Sequence, residues 1–424
     1  MFILASFVLL IYGFSLISKQ VERTRITAPI VFTVMGILAG GATRGLEPDP
    51  LSLQIFLNVA ELGLVLLLFT DGSQVSYQFR GGLRSLPGRL LSVGMLLSIA
   101  LGMGVALLLF GELSIWEAGI LAAILAPTDA GLGKAIVSDE RVPLRIRQAL
   151  NVEAGLNDGL SVPFLLFFIA LAIGTGAEGE NVTLVQYFIE QFGYGALIGL
   201  VIGGVGGRLF AAASRRDWIG SGYRELGFAA LPILCVLASE ISGASMFIAA
   251  FIAGLAVPRP NPDERDLAAH SIAFAENWGE MINLTVFFLF GLLVAGEWQG
   301  LRPVHFLYAA LSLTLIRMVP VALALAGTGL HRATLLFMGW FGPRGLASIV
   351  LGLVYLEHAA GQHAPAIRLT VIATVLASIL LHGLSAKPGA RRLGGVMDRL
   401  PADIPEKLRR DQAAPAPRDA SPKG

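Results

Sequence analysis

Charged residues are scarce in this sequence. They make up 14 % of its 424 residues, whereas 55 % are hydrophobic and the mean hydropathy is +0.71. A soluble domain carries about 25 % charged residues, so most of this chain is suited to an environment other than water. Cysteine is nearly absent. The single Cys235 lies in an apolar run, which excludes an intramolecular disulfide and a metal site built from cysteines.

Catalytic motifs are missing as well. The sequence contains neither HExxH nor GxSxG, no nucleotide-binding fingerprint follows the apolar part, and the six histidines lie mostly between the apolar runs. We therefore expect a protein that is not an enzyme, uses no cofactor and binds no nucleic acid. No repeated filter-like motif is present, which argues against a passive channel.

Long apolar runs dominate the chain. A ~30 Å hydrocarbon core needs roughly 20 apolar residues per crossing, and about thirteen such runs follow one another. They lie near 2–18, 27–43, 51–70, 90–111, 115–134, 148–174, 184–212, 223–240, 243–258, 277–296, 303–327, 333–356 and 367–386. The pattern predicts an all-α polytopic membrane protein, in which the 50 glycines and 21 prolines permit close helix packing and helix breaks.

Lysine and arginine are separated between alternate loops. One set of loops holds most of the 31 basic residues, including the group after Lys387, whereas the other set holds Arg44, Arg302 and Arg368. Basic loops stay in the cytoplasm, so we expect an inner-membrane protein with its N-terminus outside and its C-terminus inside. The segment 388–424 is expected to be a short, mostly disordered cytoplasmic tail, in which RRLGGVMDRL could form a helix on the lipid headgroups.

Ionisable residues within apolar runs are costly and usually mark a transport pathway or its partner. Asp129 lies in ILAPTDAGLG, where Pro127 removes a backbone donor and glycines follow, so we expect the fifth run to be broken. Such a break exposes helix ends that bind ions. The alternative is a proline kink whose second half is capped by Asp129. In the third run, Glu61 stays unassigned and Asp71 fits a solvated edge better than a functional site.

The sixth run carries three polar residues within NVEAGLNDGLSVP. Glu153 and Asn157 share a helix face at positions i and i+4, and Asp158 lies on the adjacent stripe. Arg317 in LTLIRMVPV of the eleventh run cannot lose its charge, so it must find a carboxylate. One carboxylate of the sixth run would then be held by a cation, while the other remains free to titrate.

A second interruption is predicted in the twelfth run. Arg344 lies in WFGPRGLAS between Pro343 and Gly345, and these residues loosen the helix as Pro127 does in the fifth run. Matching interrupted helices in the two halves of a chain indicate an inverted-repeat transporter, whose two broken helices cross at the membrane midplane.

These motifs resemble the NhaP-type branch of the sodium/proton exchanger superfamily. APTDAGLGKAIVSDERVPLRIRQALNVEAGLNDG is similar to that family's fifth and sixth helices, and LIRMVP and GWFGPRGLASIVL are similar to its eleventh and twelfth. The resemblance covers about 1–387. It implies a transmembrane antiporter domain with a mobile core of spans 4–6 and 11–13. The scaffold would consist of spans 1–3 and 8–10 and would form a homodimer in the lipid membrane.

The resemblance also implies roles for individual residues. They are Asp158 as the carrier carboxylate, Asp129 and the Thr128 carbonyl as further ligands of Na⁺, Glu153 and Arg317 as an ion pair, and Arg344 as the charge that offsets Asp129 and the helix ends at the crossover. The chain departs from the family pattern at Ala154, where relatives often have a Ser ligand, and at Ala130, where others have Pro. A water or another carbonyl must then replace the missing hydroxyl.

A mechanism follows from one shared carboxylate. A buried Asp158 holds its charge poorly, so H⁺ and Na⁺ compete for it and each neutralises it; oxygen ligands suit such a hard cation. Because Asn157 does not titrate, we expect electroneutral exchange of one Na⁺ or Li⁺ for one H⁺, which would serve pH homeostasis. K⁺/H⁺ exchange is an alternative. A cation-coupled symporter of an organic anion is another, although no organic-binding polar cluster is visible.

Overall fold

The computed structural model describes residues 2–21, 23–42, 50–78, 85–176, 189–258, 265–358, 363–401 and 404–407. Within these ranges the regular secondary structure is entirely helical. Each of the predicted apolar runs overlaps a helix or a pair of helices. Eight helices among the described residues are long and apolar enough to cross a membrane, and four shorter apolar helices accompany them. The predicted all-α polytopic class is confirmed.

The helices follow the apolar runs in chain order. They are α1 (Phe2–Val21), α2 (Ala28–Ala42), α3 (Pro50–Gln78), α4 (Leu86–Leu109), α5 (Ile115–Ile124), α6 (Ala130–Val137), α7 (Leu144–Gly176), α8 (Ile189–Arg215), α9 (Ser221–Ser242), α10 (Met246–Ala256), α11 (Arg265–Glu297), α12 (Pro303–Ala324), α13 (Arg332–Trp340), α14 (Leu346–His358) and α15 (Ala364–Met397). Helices α4 and α8 contain π-helical turns, and α12 is interrupted at Thr314.

Two of the spans are pairs of half-helices. Residues 125–129 separate α5 from α6, and residues 341–345 separate α13 from α14. Both linkers contain a proline, Pro127 or Pro343, which cannot donate the backbone hydrogen bond that a continuous helix requires. The two breaks therefore lie where the proline and glycine pattern predicts them.

Helix α11 packs tightly against α2 and α3. The backbone carbonyl of Phe288 occupies the place where a Cβ on Gly36 of α2 would be. The side chain of Ile282 likewise occupies the place where a Cβ on Gly63 of α3 would be. Such close approach between helices requires glycine at the contact, because in a membrane helices associate by packing rather than by a hydrophobic effect. These contacts join α2, α3 and α11 in one tightly packed unit.

The boundary predicted after residue 387 is too early. Helix α15 continues through Pro388 to Met397, and Ala386, Ala390, Leu393 and Met397 are buried against the loop after α6 and the end of α13. These four residues follow a helical spacing of 4, 3 and 4, so the stripe that stabilises the extension was present in the sequence. The remaining parts of the predicted tail, 402–403 and 408–424, lie outside the described residues.

The short segment 404–407 contacts the starts of two helices. The Oε1 atom of Glu406 accepts hydrogen bonds from the backbone N–H of His331 (2.6 Å) and from the Thr334 hydroxyl (2.8 Å). Arg145 at the start of α7 donates to the carbonyl of Pro405 over 2.6 Å. The segment after α15 thus links α13 to α7 at the end of the bundle that carries the basic loops.

Candidate functional site

The two broken spans meet at Asp129. Its backbone N–H donates to the carbonyl of Pro343 over 2.7 Å. Its carboxylate accepts from the backbone N–H of Leu132 at Oδ1 (2.7 Å) and from that of Leu346 at Oδ2 (2.6 Å). Asp129 therefore caps α6 and α14 at once, and its charge compensates the partial positive ends of both half-helices. The capping alternative weighed for α6 is present and extends to α14.

Arg344 binds the linker that follows α5. Its Nη1 atom donates to the carbonyls of Ala126 (2.5 Å) and Pro127 (2.9 Å) in that linker. The side chain is fully buried. The next residue must be glycine, because Oδ2 of Asp129 occupies the position that a Cβ on Gly345 would take. Pro343, Arg344 and Gly345 of GPRG therefore each have a physical reason at the crossover.

A pair of residues on α15 bridges the two ends of the second break. Ser378 Oγ accepts from the backbone N–H of Arg344 (2.6 Å) and lies 3.0 Å from Nδ1 of His382. Nε2 of His382 lies 2.8 Å from the carbonyl of Trp340. Nδ1 also lies 3.1 Å from the carbonyl of Ser378, so each ring nitrogen is within hydrogen-bond distance of a backbone carbonyl. Sequence reasoning missed both residues, because an isolated Ser and His in a run carry no motif.

Glu153 and Arg317 form a two-pronged ion pair. Arg317 donates from Nη1 to Oε1 (2.5 Å) and from Nη2 to Oε2 (2.9 Å), and the two side chains are only 5 % and 3 % exposed. This parallel geometry is the strongest form of an Arg–carboxylate contact. Glu153 is thereby committed to Arg317, which leaves Asp158 as the other carboxylate of the predicted pair on α7.

Asp158 and Asn157 retain unmet hydrogen-bonding capacity. Oδ1 of each residue is buried and has no hydrogen-bond partner, whereas Nδ2 of Asn157 donates to Oγ1 of Thr128 over 2.7 Å. Residue 157 of α7 thus contacts residue 128 of the first break, so the predicted Asp158, Thr128 and Asp129 lie on adjoining elements. Buried oxygen atoms without a donor are what a cation or a proton would satisfy.

Asp71 of α3 faces the same region. Its Oδ1 atom lies 3.1 Å from the position that a Cβ on Gly155 would take, and the charges of Asp71 and Asp129 both act on Asp158. The sequence suggested a solvated edge for Asp71, since position along a helix does not reveal what its side chain faces. Repulsion between like charges favours occupation of Asp158 by a proton or a metal cation.

A small cavity lies beside Ala154. Its volume is about 20 Å³, and Thr128, Asp129, Glu153 and Ala154 are among its lining residues. This is sufficient for one water molecule, which needs about 10–15 Å³ and polar partners. The space matches the position at which the sequence lacks a hydroxyl group.

Broken helices that cross in the bundle, with a buried carboxylate beside them, are features of secondary active transporters. The chain belongs to the transmembrane sodium/hydrogen exchanger family. The model of that family matches residues 6–392. The family predicted from the motifs is confirmed, and with it the transporter class.

Individual relatives give the same result. The uncharacterized Na⁺/H⁺ exchanger YjcE of Escherichia coli K12 is 29 % identical over 297 residues, which is 68 % of this chain and 52 % of that protein. The K⁺/H⁺ antiporter NhaP of Alkalimonas amylolytica is 26 % identical over 416 residues, which is 92 % of this chain and 66 % of that protein. The chain therefore spans between about half and two thirds of these relatives' lengths.

The fold also has a solved counterpart. The sodium proton antiporter MjNhaP1 from Methanocaldococcus jannaschii superposes with a TM-score of 0.73 at 20 % sequence identity, covering 93 % of this chain and 99 % of that one. At this identity the match establishes the fold, including the multi-pass helical membrane architecture.

Proposed function

We propose that this protein exchanges a monovalent cation for a proton at Asp158. The carrying observation is the buried Oδ1 of Asp158, which has no hydrogen-bond partner beside a similarly unmet Oδ1 of Asn157. Two of the neighbouring ionisable groups are already engaged: Glu153 binds Arg317, and Asp129 caps two helices. A proton or a partly dehydrated cation neutralises Asp158, and the neutral, loaded site crosses a hydrocarbon barrier at lower cost than the empty, charged one.

The proposed stoichiometry is one cation for one proton. Asn157 cannot titrate. Both oxygens of Asp129 accept backbone hydrogen bonds from helix N-termini. We therefore assign Asp129 to helix capping and the exchanged proton to Asp158, and Asp129 and the Thr128 carbonyl remain the proposed additional ligands of the ion.

Na⁺ is the proposed cation, with Li⁺ as a further substrate. K⁺ is the second candidate, and two observations favour it. Relatives carry the name K⁺/H⁺ antiporter, and Ala154 provides a water-sized space in place of a side-chain oxygen. A site completed by water imposes less dehydration on the ion than one built wholly from protein oxygens.

The remaining parts of the proposal concern the assembly. Spans 4–6 and 11–13 form the moving core, and spans 1–3 and 8–10 form a scaffold that dimerises in the lipid bilayer. The tight packing of α2, α3 and α11 supports a rigid scaffold. The distribution of basic loops supports an inner-membrane location with the N-terminus outside and the C-terminus in the cytoplasm.

The test is cation-driven proton flux in proteoliposomes that contain a pH-sensitive dye. Wild-type protein should respond to Na⁺, Li⁺ or K⁺ gradients, and the order of responses assigns the cation. Asp158→Asn should abolish flux, because it removes the group that both ions share. Asp139→Asn, in the exposed loop after α6, is the matched control and should retain it. Robust Na⁺-driven flux through Asp158→Asn would refute the carrier assignment.

A further inference from the structure

Asn283 is a buried amide on α11. Its side chain is 8 % exposed, and Oδ1 has no hydrogen-bond partner. Leaving such a group unmet costs about 1–3 kcal/mol, so we expect an ion or a water molecule to satisfy it. The amide lies on α11, between the residues that contact α2 and α3.

The side chain of Asn283 is directed at the first turn of α6. Its Nδ2 atom lies 2.6 Å from the position that a Cβ on Gly131 would take, and the same position is 3.0 Å from Oδ1 of Asp129. The amide and the crossover carboxylate therefore flank Gly131 together. Glycine is required here because any side chain would displace one of the two groups.

A second contact joins α6 and α11, one turn after Gly131 on α6 and one turn before Asn283 on α11. Lys134 of α6 and Glu280 of α11 form an ion pair with a distance of 2.7 Å, and their side chains are 67 % and 48 % exposed. The contact between α6 and α11 is thus buried at Asn283 and exposed at Lys134. Asn283 therefore lies one helical turn from an exposed ion pair and close to the buried carboxylate of Asp129.

We propose that Asn283 is a cation ligand that α11 contributes to the transport pathway beside Asp129. The atom of Asn283 nearest Asp129 is Nδ2, a donor, so ion binding requires the amide to turn about its Cβ–Cγ bond and present Oδ1. A neutral amide oxygen is a hard ligand that suits Na⁺ or K⁺, and it replaces a hydration water without adding a second charge. Because α11 packs tightly against α2 and α3, the ligand belongs to the proposed scaffold. The inference rests on the proposed function and adds a specificity-determining residue to it.

The test compares Asn283→Leu with Thr285→Val on the same helix. The Thr285 hydroxyl donates to the carbonyl of Met281 within its own helix, so its loss leaves the contact between α6 and α11 unchanged. For Asn283→Leu we expect the KM for the cation to rise about tenfold, which is the effect of losing one polar contact to a charged group. Thermal stability without cation should stay level or rise, since an unmet buried amide is removed. Thr285→Val should keep the wild-type KM.

A second readout is independent of transport. Cation-induced thermal stabilisation of the detergent-solubilised protein reports binding directly, and it should weaken in Asn283→Leu for Na⁺ or K⁺ added alone. This separates the two ideas: if wild-type protein binds the cation but moves no protons, the proposed exchange fails, while reduced binding by the variant still supports the ligand role.

Two results would overturn the inference. An unchanged KM and unchanged cation-induced stabilisation in both Asn283→Leu and Asn283→Ala would show that the amide does not contact the ion. A loss of thermal stability in both variants, with wild-type cation dependence in the surviving protein, would show that Asn283 is a structural contact between α6 and α11.

Discussion

Neutralising one member of the Glu153–Arg317 pair should destabilise the protein far more than neutralising both. The two side chains are 3 % and 5 % exposed and share two hydrogen bonds of 2.5 and 2.9 Å. Removing one partner leaves an uncompensated charge in a low dielectric, which costs about 3–5 kcal/mol. In the double variant Glu153→Gln/Arg317→Gln no such charge remains, so we expect a coupling energy of about 3 kcal/mol.

The assay is a double-mutant cycle on purified protein in one detergent, with unfolding followed by tryptophan fluorescence. The pair of Arg141 and Asp139 in the loop after α6, joined over 2.6 Å with side chains 47 % and 11 % exposed, is the more solvated control cycle and should show a coupling of about 0–1 kcal/mol. If the effects of Glu153→Gln and Arg317→Gln simply add, the two residues are not energetically paired and the assignment of Asp158 as the free carboxylate loses its basis.

Two further predictions concern the stoichiometry of exchange and the packing of the crossover. In proteoliposomes clamped with K⁺ and valinomycin, the zero-flux point under fixed Na⁺ and pH gradients should not move with voltage, although one net charge would contribute about 2.3 kcal/mol per 100 mV; a shift would disprove one-for-one exchange. Gly345→Ala should cost about 1–3 kcal/mol and impair flux, because the new methyl group displaces Oδ2 of Asp129. Gly104→Ala in α4, with open space around it, should be tolerated; equal behaviour of the two variants in thermal unfolding would contradict the close packing.

Much of the fold was predictable because hydrocarbon imposes strict requirements on a chain. Backbone groups in a membrane must be bonded internally, so apolar length predicts helices, and a proline with flanking glycines predicts their breaks. The same constraint made Asp129, Arg317 and Arg344 conspicuous in the sequence. A helix within RRLGGVMDRL was considered, but its continuity with α15 to Met397 was not predicted, because alanine and glycine positions beyond the last strongly apolar run resemble a linker.

The site was predictable only in part. A charged residue in a membrane span indicates that it has a partner, but the sequence does not show which residue that partner is. Asp71, Ser378, His382 and Asn283 were missed or set aside, since each depends on what faces a helix across the bundle. A single sequence contains no signal for such contacts, which join residues far apart in the chain.

The sequence by itself determined the membrane class, the succession of helices and the two breaks, because these depend on local composition and on the thickness of hydrocarbon. Only the tertiary structure decided which carboxylate remains unpaired. Two helix N-termini occupy Asp129 and a guanidinium occupies Glu153, which leaves Asp158 with an unmet oxygen. The physical reason is that hydrogen bonds and ion pairs act over a few ångströms and in fixed directions, so they are set by how distant segments pack.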